Sequence, residues 1–225
     1  MTHKSIAIDG PAGAGKSTLA RKLAKTLGFL YVDTGAIYRT VALKALWEKA
    51  DPADPEQVVP LLEGLDIRMG YAPDGEQRMY LEGEDVSKAI RRHEVSGVAS
   101  RVSAIPEVRA FLLDFQRRQA QEHDVVMDGR DIGTVVLPGA DVKIFLTASP
   151  EARARRRLRE LELRGEEANF DAILRDIKER DHQDETRPIA PLRQAADAVL
   201  LDTTQLNLDQ SAAALLALVK EKIDL

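Results

Sequence analysis

A chain of 225 residues, 44% of them hydrophobic, is long enough for one generous core, or a core with an insertion. Its 32 basic and 37 acidic residues leave a net charge of −5, which argues against non-specific binding to nucleic acid. The absence of cysteine excludes disulfides, thiolate metal sites and cysteine nucleophiles. No apolar run approaches the ~20 residues that cross a bilayer, and the first strand begins within a few residues of Met1, so the expectation is a cytoplasmic protein without a signal segment.

Residues 4–9 read as a short buried strand, a glycine-rich loop follows, and 17–27 has helical spacing with Leu19, Leu23 and Leu27 on one face. Gly28 suits a C-cap. Residues 29–32 read as a second strand and 36–49 as a helix. Strand, loop, helix, strand opens a parallel α/β fold. The proline-rich stretch 51–60 reads as a turn into a short helix. Residues 65–71 and 77–81 flank the turn signal Pro73-Asp74-Gly75, and Glu82-Gly83-Glu84 offers another turn, so 65–86 is read as a small antiparallel insertion. Helices are expected at about 88–104 and 107–121, the second burying Val108, Leu112 and Phe115. Strands follow at 124–127 and 142–146, then an arginine-rich helix at 150–164 and another with Phe170, Ile173, Leu174 and Ile177 at helical spacing. A strand at 198–201 and a helix at 208–223 close the chain, which gives five strands for a parallel sheet.

The segment Gly10-Pro11-Ala12-Gly13-Ala14-Gly15-Lys16-Ser17-Thr18 matches G-x-x-x-x-G-K-[ST] through Gly10, Gly15, Lys16 and Ser17. Glycines let successive backbone N–H groups converge on one anion, and the helix that follows adds its positive end. Lys16 is placed to reach the outer phosphates of a nucleoside triphosphate, and the Ser17 hydroxyl to ligate Mg²⁺, a cation that prefers hard oxygen donors. A strand before the loop and a helix after it make a chance match a poor explanation.

The two asparagines, Asn169 and Asn207, do not begin the Asn-Lys-x-Asp sequence by which GTPases read guanine. Arg39 and Arg130 lie at or just beyond strand ends, the ligand-binding edge of an open sheet. They suggest a second anion near the first, and so a small kinase with a phosphorylated acceptor. Asp33-Thr34-Gly35-Ala36-Ile37-Tyr38-Arg39, Asp128-Gly129-Arg130-Asp131-Ile132-Gly133-Thr134-Val135, Glu179-Arg180-Asp181, Arg187-Pro188 and Ala190-Pro191-Leu192 together resemble the bacterial cytidylate kinases across essentially the whole chain.

The resemblance implies a P-loop NTPase fold with a central five-stranded parallel sheet, an antiparallel insertion that binds the nucleoside monophosphate, and an arginine-rich helical lid. It implies a single kinase unit, with the core at about 1–40, 105–148 and 190–225, the insertion at about 41–104 and the lid at about 149–189. The implied reaction moves the γ-phosphoryl of ATP to CMP or dCMP, with Mg²⁺. A carboxylate suits the N4 amino group of cytosine and arginine suits its acceptors. By resemblance Asp131 takes the N4 side, with Ser100 and Arg109 completing the base pocket. Uracil would face that carboxylate with an acceptor.

Arg39 and Arg130 are implied to hold the acceptor phosphate, with Thr34 beside it. Asp33 could order water around Mg²⁺ or cap a helix, and both readings stay open. Arg180, Asp184 and Arg187, at i, i+4 and i+7, share one face if the helix from 170 reaches Arg187, and Pro188 would stop it. The resemblance gives that trio to the sugar hydroxyls and phosphates. In the lid, Arg153 and Arg157, one turn apart, are the candidates for contact with ATP, and Gly165 could serve as a hinge.

The expected catalytic groups are Lys16, Arg39, Arg130 and Arg187. The acceptor phosphate is already ionised, so no general base is required, and the four histidines, His182 included, read as surface residues. The expected partners are the small-molecule substrates alone, with no nucleic acid and no membrane, and the expected state is a monomer. Two other readings stand behind this one. A kinase for AMP, UMP or a sugar acid would use the same scaffold. A non-enzymatic regulatory or RNA-binding P-loop protein would bind nucleotide without turning over free CMP.

Overall fold

Residues 3–73 and 75–223 are described in the computed structural model of the chain. Asp74, the centre of the predicted turn, lies outside them. In chain order the first elements are β1 (Ser5–Asp9), α1 (Lys16–Leu27), β2 (Leu30–Asp33), α2 (Thr34–Trp47), α3 (Pro55–Val58), β3 (Ile67–Tyr71), β4 (Gln77–Leu81) and β5 (Glu84–Asp85). There follow α4 (His93–Val102), α5 (Pro106–Glu122), β6 (Val125–Gly129), β7 (Val142–Thr147), α6 (Pro150–Leu163), α7 (Phe170–Thr186), β8 (Val199–Asp202) and α8 (Leu208–Lys220). Short 3₁₀ turns occupy Val59–Leu62 and Ala89–Arg91, and a π-helical turn occupies Ile132–Val136.

The expected five-stranded sheet is present, in the order β2-β6-β1-β7-β8, and β3-β4-β5 form a separate antiparallel sheet. Ile6, Ala7 and Ile8 of β1 and Val125, Val126 and Met127 of β6 are fully buried. Such continuous apolar runs mark strands covered on both faces. β1 pairs in parallel with β7 from Ile6↔Val142 to Asp9↔Phe145, and β7 with β8 from Ile144↔Val199 to Thr147↔Asp202.

The chain divides into two compact units, one spanning Leu30–Val125 and the other Lys4–Phe29 with the chain from Val126 on. In the first, α2 buries Ile37, Val41 and Leu43. β3 and β4 pair from Ile67↔Leu81 to Tyr71↔Gln77. β4 alternates buried Gln77, Met79 and Leu81 with half-buried Arg78 and Tyr80, the signature of a strand with one face on a core. Gln77 fastens this hairpin to the end of β2: its Oε1 accepts the Asp33 N–H at 2.7 Å and its Nε2 donates to the Asp33 carbonyl at 3.3 Å. The Tyr71 hydroxyl adds a bond to the Tyr31 carbonyl at 2.9 Å.

In the second unit, α1 ends as expected at Gly28, whose N–H donates to the Ala24 carbonyl and whose φ of 71° turns the Phe29 N–H back to the same carbonyl at 2.9 Å. α6 starts on Ser149, whose hydroxyl accepts the Ala152 N–H, and α8 on the reciprocal cap of Asn207 and Gln210.

Three expectations need correction. The helix expected at 88–104 is broken at Arg92, where ψ is 147° and the chain is extended. This break lets Ile90 before it and Val95 after it both be buried. On α5 the inward face carries Val108, Arg109, Leu112 and Gln116, while Phe115 is half-buried. Lastly, α7 ends at Thr186, and Arg187 has left the helix with φ −57° and ψ 139°. The ring of Pro188 crowds the residue before it out of the α region, so the stop falls one residue earlier than a proline's missing N–H alone would put it.

Candidate functional site

β1 delivers the chain into the phosphate loop at Gly10, whose φ is 148°. A Cβ there would stand 1.9 Å from the Leu146 carbonyl oxygen, so only glycine fits. Gly15, at φ 91°, turns the chain into α1 in the left-handed region. Among the described residues no side chain caps α1, and its first turn holds no acid. Its leading N–H groups and positive end are therefore left for an exogenous anion.

Lys16 is buried and curls back to donate to the Pro11 carbonyl at 2.7 Å. Burial, and then the charge of Arg130, pull its pKa down to about 7. Ser17 is exposed at the head of α1, and its hydroxyl donates to Oδ2 of buried Asp128 at 2.7 Å. A hydroxyl and a carboxylate in contact at a helix N-terminus are hard oxygen donors of the kind Mg²⁺ prefers.

In the same unit two ion pairs tie the segment after β6 to the end of α7 and the residues beyond. Arg130 Nε donates to Asp184 Oδ2 at 2.7 Å. Arg187 Nη2 lies 3.4 Å from Asp131 Oδ1, with both side chains under a tenth exposed, and Arg187 Nε donates to the Ala190 carbonyl at 2.6 Å. The structure thus gathers Arg130, Asp131, Asp184 and Arg187, while Arg180 is exposed on α7. Asp9, the last residue of β1, accepts the N–H of Ile132 and of Gly133, each at 2.7 Å.

The two arginines singled out on α6 part company. Arg153 is buried: Nη1 and Nη2 clasp the Asp181 carboxylate at 2.9 and 2.5 Å, Nη1 also reaches the Ala12 carbonyl at 2.9 Å, and Nε reaches the Ala148 carbonyl at 2.8 Å. It braces the phosphate loop from outside. Arg157 is exposed enough to meet solvent and pairs with Glu160 at 2.9 Å.

In the other unit, Asp33 caps α2. Its Oδ1 accepts the Ala36 N–H at 2.9 Å and its Oδ2 accepts from Arg39 Nη2 at 2.9 Å. Both carboxylate oxygens are engaged within the protein. Among the described residues, buried Arg39 Nε has no hydrogen-bond partner. Thr34 is buried at the start of α2. Buried Arg109 lies 5.5 Å from the ring centre of Tyr38 and donates to the Ser103 carbonyl at 3.1 Å, and Ser100 is half-buried on α4. His3, His93, His123 and His182 are all exposed.

Four residues of these networks were given no role from the sequence: Asp9 and Gln77, and Asp128 and Asp181, which appeared only within the resembling segments. For Asp128 the signal was there, since Val125-Val126-Met127 is an apolar run ending in an acid at a strand end. Asp9 directly precedes the phosphate motif, a position that invites inspection. For Asp181 and Gln77 nothing local names the partner, because the partners lie 28 and 44 residues away.

A parallel α/β sheet whose first strand opens into a glycine-shaped anion loop, with a lysine and a Ser–Asp pair at the following helix, defines a P-loop nucleotide-binding protein. Residues 6–221 match the cytidylate kinase family, and the chain belongs to that family. It is 50% identical over 219 residues to the cytidylate kinase of Carboxydothermus hydrogenoformans, covering 97% of this chain and 98% of that one. It is 54% identical over 201 residues to the cytidylate kinase of Caldanaerobacter subterraneus subsp. tengcongensis, covering 89% and 88%. Among solved structures, an uncharacterized protein from Eubacterium ventriosum shares the fold with a TM-score of 0.52 at 12% identity, over 97% of this chain and 99% of that one.

Proposed function

We propose that this chain transfers the γ-phosphoryl group of ATP to CMP or dCMP, giving ADP and CDP or dCDP. The family match over residues 6–221 carries the reading. The uncapped head of α1 and the glycines of the phosphate loop support the donor half. Gly10–Thr18 hold the β- and γ-phosphates, and Lys16 adds a charge that follows the phosphoryl group as it moves. Ser17 and Asp128 would hold Mg²⁺, which neutralises phosphate charge when bound. Asp33 serves as the cap of α2 and the partner of Arg39.

For the acceptor, Asp131 takes the N4 amino group of cytosine, with Ser100 and Arg109 at the base. Arg39, whose Nε is a buried donor without a partner among the described residues, takes the phosphate together with Arg130, with Thr34 beside them. Arg180, Asp184 and Arg187 take the sugar hydroxyls and phosphates. In this assignment 41–104 is the monophosphate-binding insertion and 149–189 the lid, Arg157 contacts ATP, and Arg153 holds the loop that does. The protein works as a monomer in the cytoplasm without nucleic acid. Among the described residues no helix is long and apolar enough to cross a membrane.

The test is a panel of CMP, dCMP, UMP and AMP incubated with ATP and Mg²⁺, with diphosphates quantified. Cytidine nucleotides are expected to lead by at least about tenfold. Equal use of all four acceptors would move the reading to another small-molecule kinase. ATP binding without turnover on any of them would move it to a regulatory protein.

A further inference from the structure

Asp9 is a carboxylate buried to 4% exposure immediately before the first glycine of the phosphate loop. Its two oxygens accept two successive N–H groups, from Ile132 and Gly133, 123 and 124 residues further along the chain. These amides begin the π-helical turn Ile132–Val136, which the Asp131 carbonyl closes by accepting from Val135 and Val136 at 2.9 and 3.2 Å. The fit is tight on the far side as well. A Cβ at Gly133 would stand 3.1 Å from Lys143 Cδ and 3.3 Å from Asp9 Oδ2. Burial holds the Asp9 carboxyl up at about 6, even against the lowering effect of the Gly133 and Ile132 amides. A charge that burial disfavours is retained where a neutral side chain would sit more easily.

We infer that Asp9 is a positioning residue: its carboxylate clamps the backbone that carries Asp131 to the strand that carries the phosphate loop, so the base-reading group keeps its register against the triphosphate. The inference rests on the assignment of Asp131 to cytosine. The clamp needs both carboxylate oxygens, because an amide in their place offers one acceptor and turns its NH₂ toward the other N–H.

Asp9→Asn is therefore expected to raise KM for CMP about tenfold, the loss of one charge-assisted hydrogen bond, and to lower the preference for CMP over UMP by a similar factor. KM for ATP is expected to change less than about threefold. Gly133→Ala leaves the carboxylate in place but presses on it, and is expected to shift the same two quantities in the same direction. It carries the test if Asp9→Asn does not fold. Hydrogen exchange of the Ile132 and Gly133 amides in the nucleotide-free protein gives a readout that needs no substrate: exchange is expected to accelerate at least about tenfold in Asp9→Asn. KM values for CMP and ATP rising together, or neither moving, would overturn the positioning role and leave Asp9 a structural residue. Unchanged exchange would overturn the clamp itself. Wild-type protein inactive on CMP would sink the functional reading instead, while the exchange result would still decide the clamp.

Discussion

At the phosphate loop the backbone holds the shape. Gly10 is there because the Leu146 carbonyl leaves no room for a Cβ, and Gly15 because α1 must start from a left-handed residue. Around Arg130 and Asp131 side chains do that work, with Arg130 on Asp184 and Arg187 on Asp131 spanning 54 and 56 residues of sequence. The backbone-built region presents rigid N–H dipoles that always point the same way. The side-chain-built region can let go of one partner and take another. An acceptor phosphate at Arg130 would share the guanidinium with Asp184, and a base at Asp131 would share the carboxylate with Arg187. Asp9 joins the two regions, since one of its neighbours in sequence is Gly10 and its hydrogen bonds go to the turn after Asp131.

The largest effect should come from the lysine that the backbone-built region places at the transferred phosphate. Lys16→Met is expected to lower kcat/KM by about a thousandfold in a coupled ADP assay, the size of removing a transition-state charge contact. Its melting temperature is not expected to fall. Burial and Arg130 already pull the Lys16 pKa down to about 7, so the folded protein disfavours that charge before ATP arrives. A lowered melting point with retained activity would reverse the comparison, making Lys16 part of the scaffold. In the side-chain-built region the order is opposite, with stability leading. Arg187→Met leaves the buried Asp131 carboxylate without this guanidinium and is expected to cost about 3 kcal/mol in urea unfolding.

The same contrast explains how much could be read from the sequence. The phosphate loop was legible because its glycines and lysine are consecutive and each is demanded by local geometry. The five strands were legible as apolar runs, and the Gln77–Leu81 strand through its turn signals. The ion pairs were not, since nothing local distinguishes an arginine that will meet a carboxylate 54 residues on from one that will meet water. Arg187 shows the limit sharply. Helical spacing placed it on one face with Arg180 and Asp184, but the following proline forces it out of the helix, and this turns its guanidinium to Asp131 and the Ala190 carbonyl. The broken helix at Arg92 and the inward Gln116 of α5 likewise depend on packing that periodicity does not record.

The residue joining the two regions should reveal itself through pH. The Asp9 carboxyl titrates at about 6 in the folded protein, raised by burial and by the charge of Asp131 and lowered by its two amides and Lys16. In an unfolded chain it would titrate near 3.9. Between those values the folded state holds a proton that the unfolded chain has lost. The contribution is fully present below about pH 4 and is lost as pH rises through about 6, by roughly 2–3 kcal/mol. Unfolding free energies of wild type minus Asp9→Asn, measured in urea at several pH values, are expected to fall by that amount between pH 4 and 7. A flat difference would mean that Asp9 is ionised throughout at no cost.

The smallest expected effect on stability is at the arginine that neither region uses to hold itself together. Arg153 and Arg157 stand one turn apart on α6, and the sequence gives no reason to rank them. Arg153 is 3% exposed and clasps Asp181, whereas Arg157 is 39% exposed and pairs with Glu160 three residues away. An exposed pair of that kind contributes little, so Arg157→Met should change the unfolding free energy by less than about 0.5 kcal/mol. If Arg157 contacts ATP, KM for ATP should nevertheless rise about three- to tenfold, since a charge-assisted contact to phosphate is lost. Arg153→Met should do the reverse, destabilising by about 3 kcal/mol because Asp181 loses its buried partner. Should Arg157→Met leave KM for ATP unchanged, the proposed contact between α6 and ATP must be sought on another of its arginines.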